Sequence, residues 1–282
     1  MKRRSFSAAV GLTFGPFAAM AAPAKVEPRV MTVTVVPQFR AEEIHRIWAP
    51  LLARVTQETG QPLTLVVPSS IPAFERAMLA GEPDFVYANP YHAVMGNRAQ
   101  GYIPLVRDSS LLTGIVLVRA DDPIRTVAEL DGKTIAFPAP NAFGASLWIR
   151  ALLAEREKIH IQPVYVKTHS NAYRSVLAGL SAAAGGINLT FDQEPPEVRK
   201  SLRVLMETPG VPPHPLAAHP RVPEATRRLI TDALLRLMTD RAMRELMNDI
   251  PWVNPVSADY GRDYQPLERF GLDKYVVNSA VP

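Results

Sequence analysis

The chain has 282 residues, 47% hydrophobic and 21% charged, with 31 Lys and Arg against 27 Asp and Glu and a formal net charge of +4. That length allows two lobes, each burying its own core, and the near balance of charge, with no basic face, argues against nucleic acid as a partner. The absence of cysteine excludes disulfides, thiol catalysis and a lipid anchor on an N-terminal Cys.

Residues 1–21 read as a signal peptide. Lys2-Arg3-Arg4 forms a basic start, Phe6 to Ala19 is apolar and small, and Ala19-Met20-Ala21 fits a cleavage site. Arg3-Arg4-Ser5-Phe6 is compatible with twin-arginine export as well as the ordinary route. Without this leader the excess of cations over acids falls from 4 to 1, because it carries one Lys, two Arg and no acid. No later stretch reaches the ~20 apolar residues of a membrane helix, so an exported, periplasmic protein is expected.

Val30–Val36 is a strand closed by Pro37, and Ala41 opens a helix that ends near Gly60, with a kink or break expected at Pro50. Leu63–Val67 is the next strand, Ser70–Gly81 a helix, and Asp84–Tyr87 a strand leading into Ala88-Asn89-Pro90-Tyr91-His92. This alternation predicts a mainly parallel sheet with ligands beyond the carboxyl ends of its strands. Phe39, Tyr87 and Tyr91 are then expected to wall a cleft, with Asn89 as a donor. Tyr102–Val106 and Leu111–Arg119 are further strands, the second crossing into another lobe. Thr126 caps a short helix through Leu130.

Lys133–Phe137 is a buried strand that stops at Pro138, and a helix begins at Asn141–Ala145. Such a turn aims free backbone N–H groups and the positive end of a helix dipole outward, suited to an oxyanion. Asn141 is the expected N-cap, and Gly144 allows close approach. An ordinary strand–helix connection has the same local pattern. Val164–Val166 repeats the arrangement, followed by Thr168-His169-Ser170-Asn171, which offers two hydroxyls, an imidazole and an amide to one anion. Here Ser170 or Asn171 serving merely as a helix cap is the plainer alternative. Ala182–Gly186 reads as a flexible connection, Ile187–Phe191 and Leu202–Met206 as strands, and Pro209–Pro223 as an extended crossing without regular structure. Two amphipathic helices, Pro223–Met238 and Asp240–Met247, and an aromatic tail complete the chain.

None of His45, His92, His160, His169, His214 and His219 has metal-ligand spacing, and no G-x-S-x-G, P-loop or dinucleotide motif occurs. No metal, cofactor or catalytic residue is assigned. A hydrolase on this fold, the alternative from another class, would use a nucleophile–base pair such as Ser146 with His169, and no motif selects it.

Leu79-Ala80-Gly81-Glu82-Pro83 with Asp84–His92 resembles a segment of the phosphate/phosphite/phosphonate-type periplasmic substrate-binding proteins of ABC transporters. The resemblance continues through Val116–Arg119, Leu130-Asp131-Gly132-Lys133, Phe137–Asn141 and Thr168-His169-Ser170, and it covers Val30 to Ile250. It implies an α/β, type II periplasmic-binding-protein fold: a Venus flytrap of two α/β lobes with a hinge and an interlobe cleft. The expected lobes are 22–112 with 208–282, and 113–207. It implies that Tyr87 flanks the ligand while His169 and Thr168 bind its oxygens; the turns read above add Phe39, Asn89, Tyr91, Asn141, Phe143, Gly144, Ser170 and Asn171 to the expected site. Ala142-Phe143-Gly144 stands where the family's phosphonate binders carry a hydroxyl cluster, which implies a less charged oxyanion or one with an apolar part. No carboxylate is available for a ligand amine, since Asn188 and Thr190 occupy that region. The implied protein is a monomer that binds a small anion and engages an ABC permease or, alternatively, a sensor-kinase periplasmic domain.

Overall fold

A computed structural model describes residues 29–240, 252 and 254–277, apart from the Met238 side chain. The leader at 1–21 lies outside the described residues, as does the helix expected at Asp240–Met247 beyond its first residue.

The first lobe begins β1 (Met31–Val35), α1 (Ala41–Thr59), β2 (Leu63–Val66), α2 (Ile71–Leu79), β3 (Phe85–Tyr87), α3 (Pro90–Gln100) and β4 (Ile103–Asp108). β1 pairs in parallel with β2 on one side and β3 on the other, the pairing that helical crossovers permit. The break expected in α1 does not occur: one helix runs through Pro50, whose ring sits on the exposed face while Ile44, Trp48, Leu51 and Val55 fill the core. α3 begins where the sequence predicts no helix after β3. Pro90 opens it, and Asn89 caps it by accepting the His92 N–H at 2.8 Å.

The second lobe contains β5 (Gly114–Arg119), β6 (Thr134–Phe137), α4 (Trp148–Glu155), β7 (Gln162–Tyr165), α5 (His169–Leu177), β8 (Ala183–Ile187), α6 (Asn188–Asp192), α7 (Pro196–Ser201) and β9 (Leu202–Glu207). Its five strands are ordered β7-β6-β8-β5-β9. The stretch expected to be a flexible connection is therefore, from Ala183 on, a central and fully buried strand. Ile187 ends that strand and Asn188 opens α6, which replaces the strand expected at Ile187–Phe191.

The chain returns to the first sheet through β10 (Leu216–Ala218), then adds α8 (Glu224–Thr239) and β11 (Pro255–Ser257), giving the order β11-β4-β10-β3-β1-β2. β10 lies antiparallel between β3 and β4, so the proline-rich crossing does contain a strand, confined to three residues between its prolines. The two crossings are clasped where Leu112 and Val211 exchange backbone hydrogen bonds of 2.8 and 3.0 Å. Gly114 N–H donates to Thr208 Oγ1 (2.8 Å) and Thr208 N–H returns to Gly114 O (2.9 Å). The apolar core of the first lobe continues into Phe143, Leu147 and Trp148, so the lobes are closed on one another. Among the described residues no helix is long and apolar enough to cross a membrane.

Candidate functional site

Carboxyl ends of parallel strands from both sheets meet at the lobe junction, the position where such sheets bind ligands. β1 delivers Val36 and Gln38, β3 delivers Asn89, the turn after β6 delivers Ala142–Ala145, β8 delivers Ile187, and α5 starts at His169. With Ile71, Leu112 and His214 they enclose a cavity of ≈ 10 Å³, room for about one water. Its lining contains no Lys, Arg, Asp or Glu.

The turn after β6 winds as a π-helical turn, Phe143–Leu147, before continuing as α4. The N–H groups of Phe143, Gly144 and Ala145 take no partner among the described residues, as the opening of a helix dictates. Gly144 is required by contact: a Cβ there would lie 2.8 Å from both Ile187 Cγ2 and Leu112 Cδ2. The Asn141 cap is corrected by the structure. Ala142 precedes the turn without a side-chain cap, and Asn141 is buried outside the cavity lining. Its amide donates to Glu75 Oε2 (3.1 Å) and Val277 O (2.9 Å), and its Oδ1 accepts Val277 N–H (2.9 Å). Tertiary partners in the first lobe and the C-terminal segment thus claim the side chain that a local cap would need.

His169 is 2% exposed, with Nδ1 3.0 Å from Thr190 Oγ1, which is itself bonded to Tyr173 Oη at 2.8 Å. His214, on the crossing before β10, stacks on Tyr87 at 5.4 Å, and its buried Nε2 has no partner among the described residues. Burial pushes the His169 imidazole down to about 3. It does the same for His214, also to about 3, with smaller contributions from the charges that His169 and His92 would carry. Both rings are neutral at pH 7. Asn89 turns its Oδ1 to the α3 cap and its Nδ2 across the junction to Asn141 O (3.3 Å).

Of the residues expected in the site, Asn89, Phe143, Gly144 and His169 come together around this cavity. Tyr87 and Tyr91 do not wall it. Tyr87 lies behind His214 against Trp48 (4.7 Å), and Tyr91 donates to Asp273 Oδ1 (2.6 Å) while its ring stacks on Phe143 (6.3 Å). The hydroxyl-rich turn also serves itself: Thr168 Oγ1 caps α5 by accepting Asn171 N–H (3.1 Å), Ser170 donates to Glu194, and Asn171 Nδ2 reaches Val166 O (2.8 Å). Phe39 and Thr168 line a wider groove outside the cavity, and together with Ser170 and Asn171 they border a neighbouring surface hollow. Ser146 Oγ accepts from Arg150 Nε (3.3 Å), and no bond joins it to His169. Among the described residues no three His, Cys, Asp or Glu side chains are grouped to hold a metal. Sequence reasoning missed His214 and Gln38. Gln38 stands beside Phe39 in the turn after β1, whereas His214 carries no local signal and is placed only by the pairing of β10.

The family model described as ABC transporter, phosphonate, periplasmic substrate-binding protein matches residues 33–264. No curated protein matches the chain by sequence. Similar solved structures include the binding-protein component of an ABC phosphonate transporter from Pseudomonas aeruginosa, with TM-score 0.78 and 13% identity over 87% of this chain and 86% of that one. PhnD1 from Prochlorococcus marinus, solved with methylphosphonate, gives TM-score 0.77 and 11% identity over 86% of this chain and 97% of that one. A Xanthomonas citri protein solved with chloride gives 0.73 and 17% over 88% and 99%. Identities this low establish a shared fold and nothing finer.

Proposed function

The chain belongs to the phosphonate-type periplasmic substrate-binding proteins of ABC transporters, and from that premise we propose that it captures a small oxyanion between its lobes and delivers it to a permease. The family is one of transport binding proteins, not enzymes. On this reading the lobes divide as 22–112 with 208–282, and 113–207, with the Leu112–Val211 clasp at the hinge.

The observation that carries the proposal is the small cavity to which both lobes contribute, lined by Phe143–Ala145 and by His169 and His214 without any acid. Backbone N–H groups at a helix start, backed by the dipole, stabilise an anion without a formal cation. Thr190 Oγ1 holds His169 Nδ1 at 3.0 Å while the same hydroxyl also reaches Ile187 O (3.2 Å), which leaves Nε2 of the neutral ring to bond a ligand oxygen. Neutral donors of this kind suit a singly charged phosphonate, phosphite or phosphate better than a dianion. A ligand that bridges the lobes stabilises the closed form by its differential affinity for it, and that form is the one offered to the permease.

Calorimetric titration of the exported form with methylphosphonate, phosphite and phosphate at pH 7 tests this. At least one is expected to bind, and His169→Ala to weaken it about 10- to 100-fold, the loss expected for one hydrogen bond to a charged group. Unchanged affinity in a variant with native circular dichroism would put the site elsewhere.

A further inference from the structure

The loops that close the small cavity continue outward into a groove of ≈ 380 Å³ that again draws on both lobes. Pro37 and Phe39 flank the cavity residue Gln38, Ile71 lines both spaces, Pro138–Pro140 lead into Ala142, and Thr168 precedes His169. Inner and outer spaces thus share Ile71 as a wall and are bordered by the same loops. Their chemistry differs. The outer walls are proline rings with Phe39, Val67 and Tyr165, and the charged side chains in the lining are Arg40 from the first lobe and Lys167 from the second, with no acid. Tyr165 is 40% exposed. Lys167 has no ion pair or side-chain hydrogen bond among the described residues, and Arg40 reaches only Glu42 at 4.0 Å, where both side chains face solvent. Lys167 also sits at φ 78°, in a three-residue turn closed by Thr168 N–H to Val166 O (3.1 Å), the rarer and more strained γ-turn.

We infer that the ligand is an organic oxyanion whose acid head occupies the inner cavity and whose apolar or aromatic body lies in this outer groove against Phe39 and Tyr165. The inference rests on the oxyanion reading above and extends it to the substituent. The inner cavity, with space for about one water, leaves no room for an organic substituent and takes an acid head only as the lobes part slightly, whereas the groove has the volume of an ordinary small-molecule pocket. The two cations and the absence of an acid disfavour a body that carries an amine, since that charge would be left desolvated and unpaired.

The test compares methylphosphonate, phenylphosphonate and 2-aminoethylphosphonate by calorimetry on the exported form and on Tyr165→Ala, whose substitution site is exposed and whose melting temperature checks the fold. Phenylphosphonate is expected to bind at least about tenfold tighter than methylphosphonate, from the apolar area a ring buries. 2-Aminoethylphosphonate should gain nothing over methylphosphonate. In Tyr165→Ala the phenyl-to-methyl ratio should fall toward one. Methylphosphonate binding with no phenyl gain, a phenyl gain untouched by Tyr165→Ala, or tightest binding of the amine would overturn the groove assignment and leave the oxyanion site standing. Binding of none of the three would overturn both.

Discussion

His169 and His214 face one cavity from different lobes, and neither has a carboxylate beside it to hold a proton. In the unfolded chain each takes a proton near pH 6.5, while in the folded protein each stays neutral down to about 3. The unfolded state therefore binds more protons between those values, and stability falls as pH falls through that window. Each histidine steepens the loss by up to about 1.4 kcal/mol per pH unit. Urea unfolding between pH 6.5 and 4.5 is expected to show this slope, and His214→Gln to flatten it by about one proton's worth. An identical slope in the variant would mean that His214 is protonated in the folded state. His169 was legible in the sequence because it begins a helix just after a strand. The hydroxyls around it misled, since Thr168 and Ser170 satisfy the helix start and Glu194 before any ligand. His214 was illegible, because only the sheet position of β10 brings it to the junction.

At the scale of elements, β8 shows how composition can hide a strand. Ala183-Ala184-Gly185-Gly186 lacks the branched residues that mark strands, yet it is central in its sheet. The glycines are there for contact: a Cβ on Gly185 would fall 2.0 Å from Ala145 O and 2.5 Å from the Phe137 ring, and one on Gly186 2.5 Å from Tyr173 Oη. Close packing of the strand against the turn after β6 thus sets where the Phe143–Ala145 N–H groups lie. Gly185→Ala is expected to destabilise by about 3 kcal/mol, the upper end for overpacking, because backbone rather than a movable side chain is in the way. A urea midpoint unchanged from the parent would show that the turn can retreat. α3 escaped for a different reason. Its first turns are buried nearly all round, so the 3.6-residue period that betrays a surface helix is missing. The strands with Val, Ile or Phe at their centres were readable from those residues, buried as they are on both faces, and the amphipathic α1, α5 and α8 because each exposes one side to water.

For the molecule as a whole, the question is what holds the lobes together apart from a ligand. The segment 265–277 runs from one lobe to the other. On the first lobe Asp273 accepts from Tyr91 (2.6 Å) and Glu268 pairs with Arg98 (2.9 Å); on the second Tyr275 O accepts from Arg150 (2.9 Å) and Phe270 stacks on Trp148 (4.8 Å). Asn141 is the node of this strap, since its one amide group binds both Val277 and the first-lobe Glu75, whose other oxygen lies 2.9 Å from His92 Nε2. Opening the cleft must break the Glu75 bond and Asn89–Asn141, but it rehydrates the groups it frees. Asn141→Ala removes the amide from the closed form, leaving its buried partners less satisfied there, and costs the open form little. With bonds of this kind worth about 1 kcal/mol each, the closed-to-open ratio should fall by about an order of magnitude for each 1.4 kcal/mol lost. Apparent ligand affinity falls by the same factor as the binding-competent fraction. Small-angle scattering of the ligand-free variant should show a larger radius of gyration than the parent, with saturating ligand restoring the parent value. If the two proteins scatter alike without ligand and bind it equally well, Asn141 is a packing residue, and closure is governed at the Leu112–Val211 clasp instead.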